Sequence, residues 1–274
     1  MRKIQEKYYD FAVSDCDGTL LTSNGDIAKE TIQKIENFIA HGGTFCLCTG
    51  RMSASIILLA KSYGLKGYVI SFNGAEICDI ESGEKIYKNH VDNAACIKLL
   101  RYAEQNNRRV QVYPNDKMTV EKLNSDYLNY AGRSGVNVCE YGDKVSKLFE
   151  KKGYTSGKVL FYTDETLRPK MNDEIRGILG DNYEIVNSNK EHIDVMAKGV
   201  SKGGSVLKLC EIIKKQRKKI ICFGDEMNDL SMLEVAALKA MVENGNEKLK
   251  SVADVIIPSN DAGGVGIALE KYGI

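Results

Sequence analysis

Along the first seventy positions the apolar residues alternate between short continuous runs and a three-to-four spacing. Tyr8–Ser14 is a near-continuous run and predicts a buried strand. Ile32, Ile35, Phe38 and Ile39 then recur at helical spacing, and Gly42-Gly43 stop that helix. Thr44–Cys48 predicts the next strand, Ser53–Tyr63 the next helix and Tyr68–Phe72 a third strand. A β-α-β-α-β order predicts a parallel sheet with helices packed on its faces. Such sheets bind ligands beyond the carboxyl ends of their strands, where Asp15 and Thr49 fall.

After Asn73-Gly74, a hairpin dipeptide, the texture changes. From about residue 83 to 188 the chain is more polar and richer in Asn, Tyr and Lys. Strands are predicted at Arg109–Tyr113, Lys158–Thr163 and Tyr183–Asn187, with helices at Asp92–Asn106 and Glu165–Leu179. We read 83–188 as an inserted α+β domain and 1–82 with 189–274 as the core it interrupts. The core pattern is expected to resume with a strand from His192 to Met196, then a helix from Lys202, a strand Lys219–Phe223 and a helix after Asn228.

The 274 residues suffice for this plan, and 43% hydrophobic content matches a packed interior. The 38 basic residues nearly cancel the 37 acidic ones, for a net charge of +1, which argues against a nucleic-acid or membrane-surface partner. The opening MRKIQEKYYDFAV lacks the apolar stretch of a signal peptide, and runs such as Ile56–Ala60 are soon interrupted by charge, so a cytoplasmic protein is expected. Eight scattered cysteines, several inside strand-like runs and none in paired CxxC motifs, read as buried free thiols.

Four short pieces share a strand-end or loop-to-helix setting: DCDGT from Asp15, CTGR from Cys48, GVSKG from Gly199 and FGDEMND from Phe223. Asp15 and Asp17, two residues apart, repel unless a cation lies between them. A divalent metal with a phosphate ester explains the set. The Asp15 carboxylate can attack phosphorus, with Mg²⁺ neutralising charge on the transferring oxygens. Asp17 can face the leaving-group oxygen as general acid and then base. Gly18 allows the sharp turn that follows. Thr49 and Gly50 offer a hydroxyl and an open amide to the nonreacting phosphate oxygens. Lys202 starts a helix, where a cation opposes the helix dipole, so its place is better explained by contact with phosphate and Asp15. Asp225 supplies hard oxygen for Mg²⁺, Asn228 reaches the phosphate, and Asp229 orients the metal's waters or Lys202. The alternative for Asp229 is an ordinary first-turn anion.

Read together, DCDGTLL, CTGR, GVSKGGSVLKL and FGDEMNDLSML resemble the haloacid dehalogenase superfamily, and SFNGAEI with SNDAGGVGIALEKYGI extends the resemblance to its Cof-type phosphatase subfamily. The resemblance implies a doubly wound, Rossmann-like α/β core carrying a mobile α+β cap. It implies an aspartyl-phosphate intermediate on Asp15, with Asp17 as acid/base. It places Mg²⁺ on the Asp15 carboxylate, the Asp17 carbonyl and Asp225, and phosphate contacts on the Cys16 backbone, Thr49, Gly50, Lys202 and Asn228. Cys16 stands where the family more often has an aliphatic residue, and a thiol there makes oxidant sensitivity an expectation to test. Tyr113, Asn115 and Lys117 are candidate cap residues for substrate choice, and Arg51 either contacts the ester or braces its loop.

The expected activity is Mg²⁺-dependent hydrolysis of a small phosphorylated metabolite such as a sugar phosphate or phosphorylated cofactor. A phosphomutase uses the same core but returns the phosphoryl group to a product. A phosphorylatable receiver module also gathers acidic residues, a Thr and a Lys around Mg²⁺, but needs only one ordinary domain and leaves Asp17 without a proton-transfer duty.

Overall fold

The computed structural model describes residues 4, 6–187 and 191–274. The described residues form two compact units, one drawn from the ranges up to 87 and from 201 to 274, the other from between 88 and 200.

The larger unit opens with β1 (Phe11–Ser14), α1 (Lys29–Ala40), β2 (Thr44–Cys48), α2 (Ser53–Ser62), β3 (Tyr68–Ser71), β4 (Glu76–Asp79) and β5 (Lys85–Lys88). Every residue of β1 is buried, as expected of a strand covered on both faces. Thr44–Cys48 forms the expected strand, and Asn73-Gly74 lies in the turn of the antiparallel β3–β4 hairpin.

The inserted unit contributes α3 (Asn93–Gln105), β6 (Val110–Gln111), β7 (Met118–Val120), α4 (Ser125–Ser134), β8 (Val138–Glu140), α5 (Val145–Lys152), β9 (Val159–Tyr162), α6 (Arg168–Leu179), β10 (Tyr183–Val186) and β11 (His192–Ala197). Strands β10, β11, β9 and β6 form one four-stranded sheet. Leu99, Phe149, Val159, Phe161, Met171, Ile175, Ile193 and Val195 make its apolar core with α3, α5 and α6. This corrects the reading of His192–Met196 as a returning core strand, because β11 pairs antiparallel with β9 and β10. The expected domain edge at 188/189 lies outside the described residues. Tyr113 is also corrected as a substrate-facing residue. It is buried, and its hydroxyl accepts from Gln111 Nε2 at 2.5 Å and donates to Tyr130 at 3.1 Å, so Tyr113 is spent inside the unit. Asn115 and Lys117 are exposed.

The chain then adds α7 (Lys202–Ile213), β12 (Ile220–Gly224), α8 (Leu230–Val235), β13 (Leu238–Val242), α9 (Glu247–Lys250), β14 (Val255–Ile257) and α10 (Gly264–Tyr272) to the larger unit. Its eight-stranded sheet runs β14-β13-β12-β1-β2-β3-β4-β5, parallel from β14 through β3. Ile35, Phe38, Ile56, Ala60, Val265 and Leu269 pack α1, α2 and α10 on one face. Val206, Leu209, Met232 and Leu233 pack α7 and α8 on the other. This is a doubly wound α/β core interrupted by an α+β insertion. Among the described residues no helix is long and apolar enough to cross a membrane.

Candidate active site

The winding of the large sheet reverses between β1 and β12, since β2 and β3 extend it one way and β13 and β14 the other. A crevice opens at the carboxyl ends of strands at such a switch point. Asp15 and Asp225 are the first residues past these two strands, and the Asp15 N–H donates to the Phe223 carbonyl at 3.0 Å, tying the two ends together. Lys202 is the first residue of α7, whose start is capped by the Ser201 hydroxyl accepting from Gly204 N–H.

Lys202 Nζ lies 2.5 Å from Asp15 Oδ1 and 2.6 Å from Asp229 Oδ1. Asp229 Oδ2 accepts the backbone N–H groups of Asp225 at 3.0 Å and Glu226 at 3.1 Å. Both oxygens of Asp229 are thus committed to holding the lysine and the loop after β12. Asp229 also stands in the first turn after Glu226, whose N–H it caps, so the first-turn anion and the hold on Lys202 coincide in one buried side chain. Thr19 Oγ1 donates to Asp225 Oδ1 at 2.9 Å, and Asn244 Nδ2 donates to the Gly18 carbonyl at 2.8 Å. Gly18 has φ +81°, and a Cβ there would lie 2.4 Å from Asp225 Oδ2, so glycine is required by both backbone conformation and space.

Lys202 is buried among anions, and its electrostatics follow from that. Burial alone would lower its pKa, but the Asp15 and Asp229 carboxylates overcome this and hold the ammonium well above its ordinary value. Burial pushes the Asp15 carboxyl well up; Lys202 pulls it back, while Asp229 and Asp225 add to the rise. The Asp225 carboxyl is pushed up to about 6, first by burial and then by Asp229, against the opposing Thr19 hydrogen bond and Lys202 charge.

Carboxylate oxygens of Asp15, Asp225 and Asp229 all lie within 4.8 Å of one another. Three carboxyl groups gather around one ammonium, and burial first and their mutual repulsion second raise those of Asp15 and Asp225. With Asp229 committed elsewhere, the carboxylates of Asp15 and Asp225 remain as hard donors. This oxygen-only set fits Mg²⁺.

Thr49, at the end of β2, is buried, and its hydroxyl accepts the Arg51 N–H at 3.2 Å. Gly50 follows it, and Asn228 is half-buried in the single turn Met227–Asp229. Cys16 points into the apolar core beneath the site. Burial, with Asp15 and Asp17 beside it, raises that thiol well above its ordinary value, which counts against a reactive thiolate there. Asp17 alone turns outward, into a two-point ion pair with Arg51 at 2.9 and 2.5 Å. Sequence reasoning did not find the Arg51–Asp17 pairing, Thr19 or Asn244. Thr19 stands inside the DCDGT piece, whereas nothing local marks Asn244.

A carboxylate–lysine cluster at the switch point of a doubly wound sheet, with an α+β unit inserted in the chain, is the arrangement of a class of hydrolytic α/β enzymes. The chain belongs to that class's haloacid dehalogenase-like hydrolase family, whose model matches residues 12–269. A Thermotoga maritima protein of known crystal structure, TM0651, is similar at 28% identity and TM-score 0.85, covering 96% of this chain and 97% of the other. A haloacid dehalogenase-like hydrolase from Bacteroides thetaiotaomicron is similar at 27% identity and TM-score 0.87, with 96% and 98% covered. The Bacillus subtilis protein named 5-amino-6-(5-phospho-D-ribitylamino)uracil phosphatase YitU is 25% identical, over 94% of this chain and 95% of its own length.

Proposed function

We propose that this hydrolase is a Mg²⁺-dependent phosphatase of small phosphorylated metabolites, sugar phosphates or phosphorylated cofactors, working through an aspartyl-phosphate on Asp15. The observation that carries the reading is Asp15 held by Lys202 at 2.5 Å, with Asp225 beside it past the carboxyl ends of β1 and β12. The names of relatives support it: YitU is a phosphatase of a phosphorylated metabolite, and a second Bacillus subtilis relative, 24% identical, is named phosphatase YwpJ.

In this reading Lys202 fixes Asp15 through Oδ1, which leaves Oδ2 to attack phosphorus in line with the ester oxygen. The Oδ2–phosphorus bond forms as the phosphorus–ester-oxygen bond breaks, and the leaving oxygen takes a proton from Asp17. Asp17 then takes a proton from water as that water attacks phosphorus, and the phosphorus–Oδ2 bond breaks to release phosphate. Thr49, the Gly50 and Cys16 amides, Lys202 and Asn228 hold the nonreacting oxygens. Asp15, Asp225 and the Asp17 carbonyl would hold Mg²⁺, and the ion when bound would supply positive charge where the transferring phosphoryl oxygens gather it. Asp17 can serve only after exchanging the Arg51 guanidinium for the leaving-group oxygen. We retain the cytoplasmic placement argued from the sequence.

The test is turnover of p-nitrophenyl phosphate and of a panel of phosphorylated metabolites with Mg²⁺, read as released phosphate. Asp15→Asn is expected to abolish release. Isomerised ester without free phosphate would replace hydrolysis with a mutase activity.

A further inference from the structure

We propose that Asn73 is a positioning residue, holding the Thr49–Gly50–Arg51 loop in the conformation that receives the phosphoryl oxygens; this rests on the phosphatase reading above.

The turn after β3 is the most distorted stretch of backbone near the site. Phe72 and Asn73 both take left-handed conformations, at φ +49° and +55°. That region is unfavourable for a bulky residue such as Phe, and consecutive non-glycine residues persist there only when their surroundings demand it. Both residues are almost fully buried.

What the distortion achieves is visible in where the backbone points. The Phe72 N–H donates to the Arg51 carbonyl at 2.9 Å, and the Asn73 N–H donates to the Thr49 carbonyl at 2.9 Å. Two successive amides of the turn therefore grip the loop on either side of Gly50. The Asn73 side chain completes the grip. A Cβ built on Gly50 would lie 3.0 Å from Asn73 Oδ1 and 3.4 Å from Nδ2, so the amide lies directly against the Gly50 backbone.

The same turn reaches the other side of the site. A Cβ on Gly74, at φ +116°, would lie 2.4 Å from the Ser201 carbonyl, and Ser205 Oγ donates to the Gly74 carbonyl at 2.6 Å. Residues 72–74 thus bridge the phosphate loop at the end of β2 and the start of α7 that carries Lys202. Glu76, wholly buried, continues the brace by accepting from Ser53 Oγ and from Lys85 Nζ, the latter at 2.8 Å. The turn spaces two phosphate-contacting elements that have no covalent continuity.

Asn73→Gly separates this role from a structural one. Glycine takes the left-handed conformation freely, so the backbone grip survives while the amide against Gly50 is lost. The expected result is a melting temperature within about 3 °C of wild type with kcat/KM on p-nitrophenyl phosphate reduced about 10- to 100-fold. The inhibition constant for inorganic phosphate should rise with it. Gly50→Ala pushes against Asn73 Oδ1, so its loss should be smaller in the Asn73→Gly background than in wild type. Wild-type kcat/KM in Asn73→Gly, a loss that merely tracks unfolding, or strict additivity with Gly50→Ala would each overturn the proposal. Asp15→Asn, assayed alongside, keeps the questions apart. Its retention of turnover would remove the phosphatase reading, whereas an inactive Asp15→Asn beside a fully active Asn73→Gly removes only the role of Asn73.

Discussion

Arg51 closes on Asp17 through both carboxylate oxygens, Nε to Oδ2 at 2.9 Å and Nη2 to Oδ1 at 2.5 Å. The Asp17 side chain is 59% exposed and Arg51's only 16%, so the guanidinium is the fixed partner and the carboxylate the one free to move. A planar guanidinium also matches a phosphate edge, so an arriving ester competes for the group that restrains the proposed acid.

Leaving-group dependence tests that arrangement. An alkyl phosphate needs a proton on its departing oxygen, whereas p-nitrophenolate leaves with little help. Asp17→Asn is expected to lower kcat about 10²- to 10⁴-fold on an alkyl ester and far less on p-nitrophenyl phosphate. Arg51→Lys, which keeps the charge but loses the two-point geometry, should show the same preference with a smaller loss. Equal losses of kcat on both esters would show that Asp17 is not the proton donor.

Lys202 neutralises two carboxylates at once, so its removal strands both. In Lys202→Met, Asp15 and Asp229 face each other with no cation between them, in a site with almost no solvent access. Breaking such a buried pair costs about 3–5 kcal/mol, and the loss should appear as a lower urea midpoint with an unchanged denaturant slope. Lys202→Met should also be inactive with Mg²⁺ present. A midpoint equal to wild type would show that the ammonium is not the balance of this cluster.

Metal binding should be pH-dependent in a direction set by Asp225. Its carboxyl is raised from 3.8 to about 6 in the fold, so between those values the folded chain binds more protons than the unfolded one, and stability falls as pH rises. The full penalty, on the order of 3 kcal/mol, is present above about pH 6. A bound divalent cation offsets it, and below pH 6 protons compete for the same oxygen. The rise in melting temperature on adding Mg²⁺ should therefore be larger at pH 7.5 than at pH 5, and Asp225→Asn should flatten the difference. An equal Mg²⁺ shift at both pH values would count against Asp225 as a metal ligand.

Much of the large sheet was legible because each part declares itself locally. A strand buried on both faces reads as an unbroken apolar run, and a residue just past it falls at the sheet's carboxyl edge, which is how Asp15, Thr49 and Asp225 were placed. The same rule misassigned β11. HIDVMA is as continuous as a core strand, and nothing local records that its partners are β9 and β10. Helices α4 and α5 escaped for another reason: their buried apolar contacts are few, Tyr127 and Ala131 in one and Val145 and Phe149 in the other, amid polar sequence. Arg51 to Asp17 and Asn244 to Gly18 are pairings across 34 and 226 residues, and only the folded backbone creates them.

Thiol chemistry offers a last test, because the eight cysteines differ sharply in setting. All are free, seven are buried and Cys139 alone is exposed. Cys16, the one beside the proposed nucleophile, has its thiol raised by burial and by the Asp15 and Asp17 charges, so the reactive thiolate is suppressed where a reagent would have to reach it. A chromogenic disulfide reagent should label one thiol rapidly in the native protein and all eight after denaturation. Cys139→Ser should remove the fast phase. Brief peroxide treatment should leave kcat/KM unchanged in both wild type and Cys16→Leu. Loss of activity in wild type that is reversed by thiol reductant and absent in Cys16→Leu would show that the thiol is reached after all, through an opening of the loop after β1.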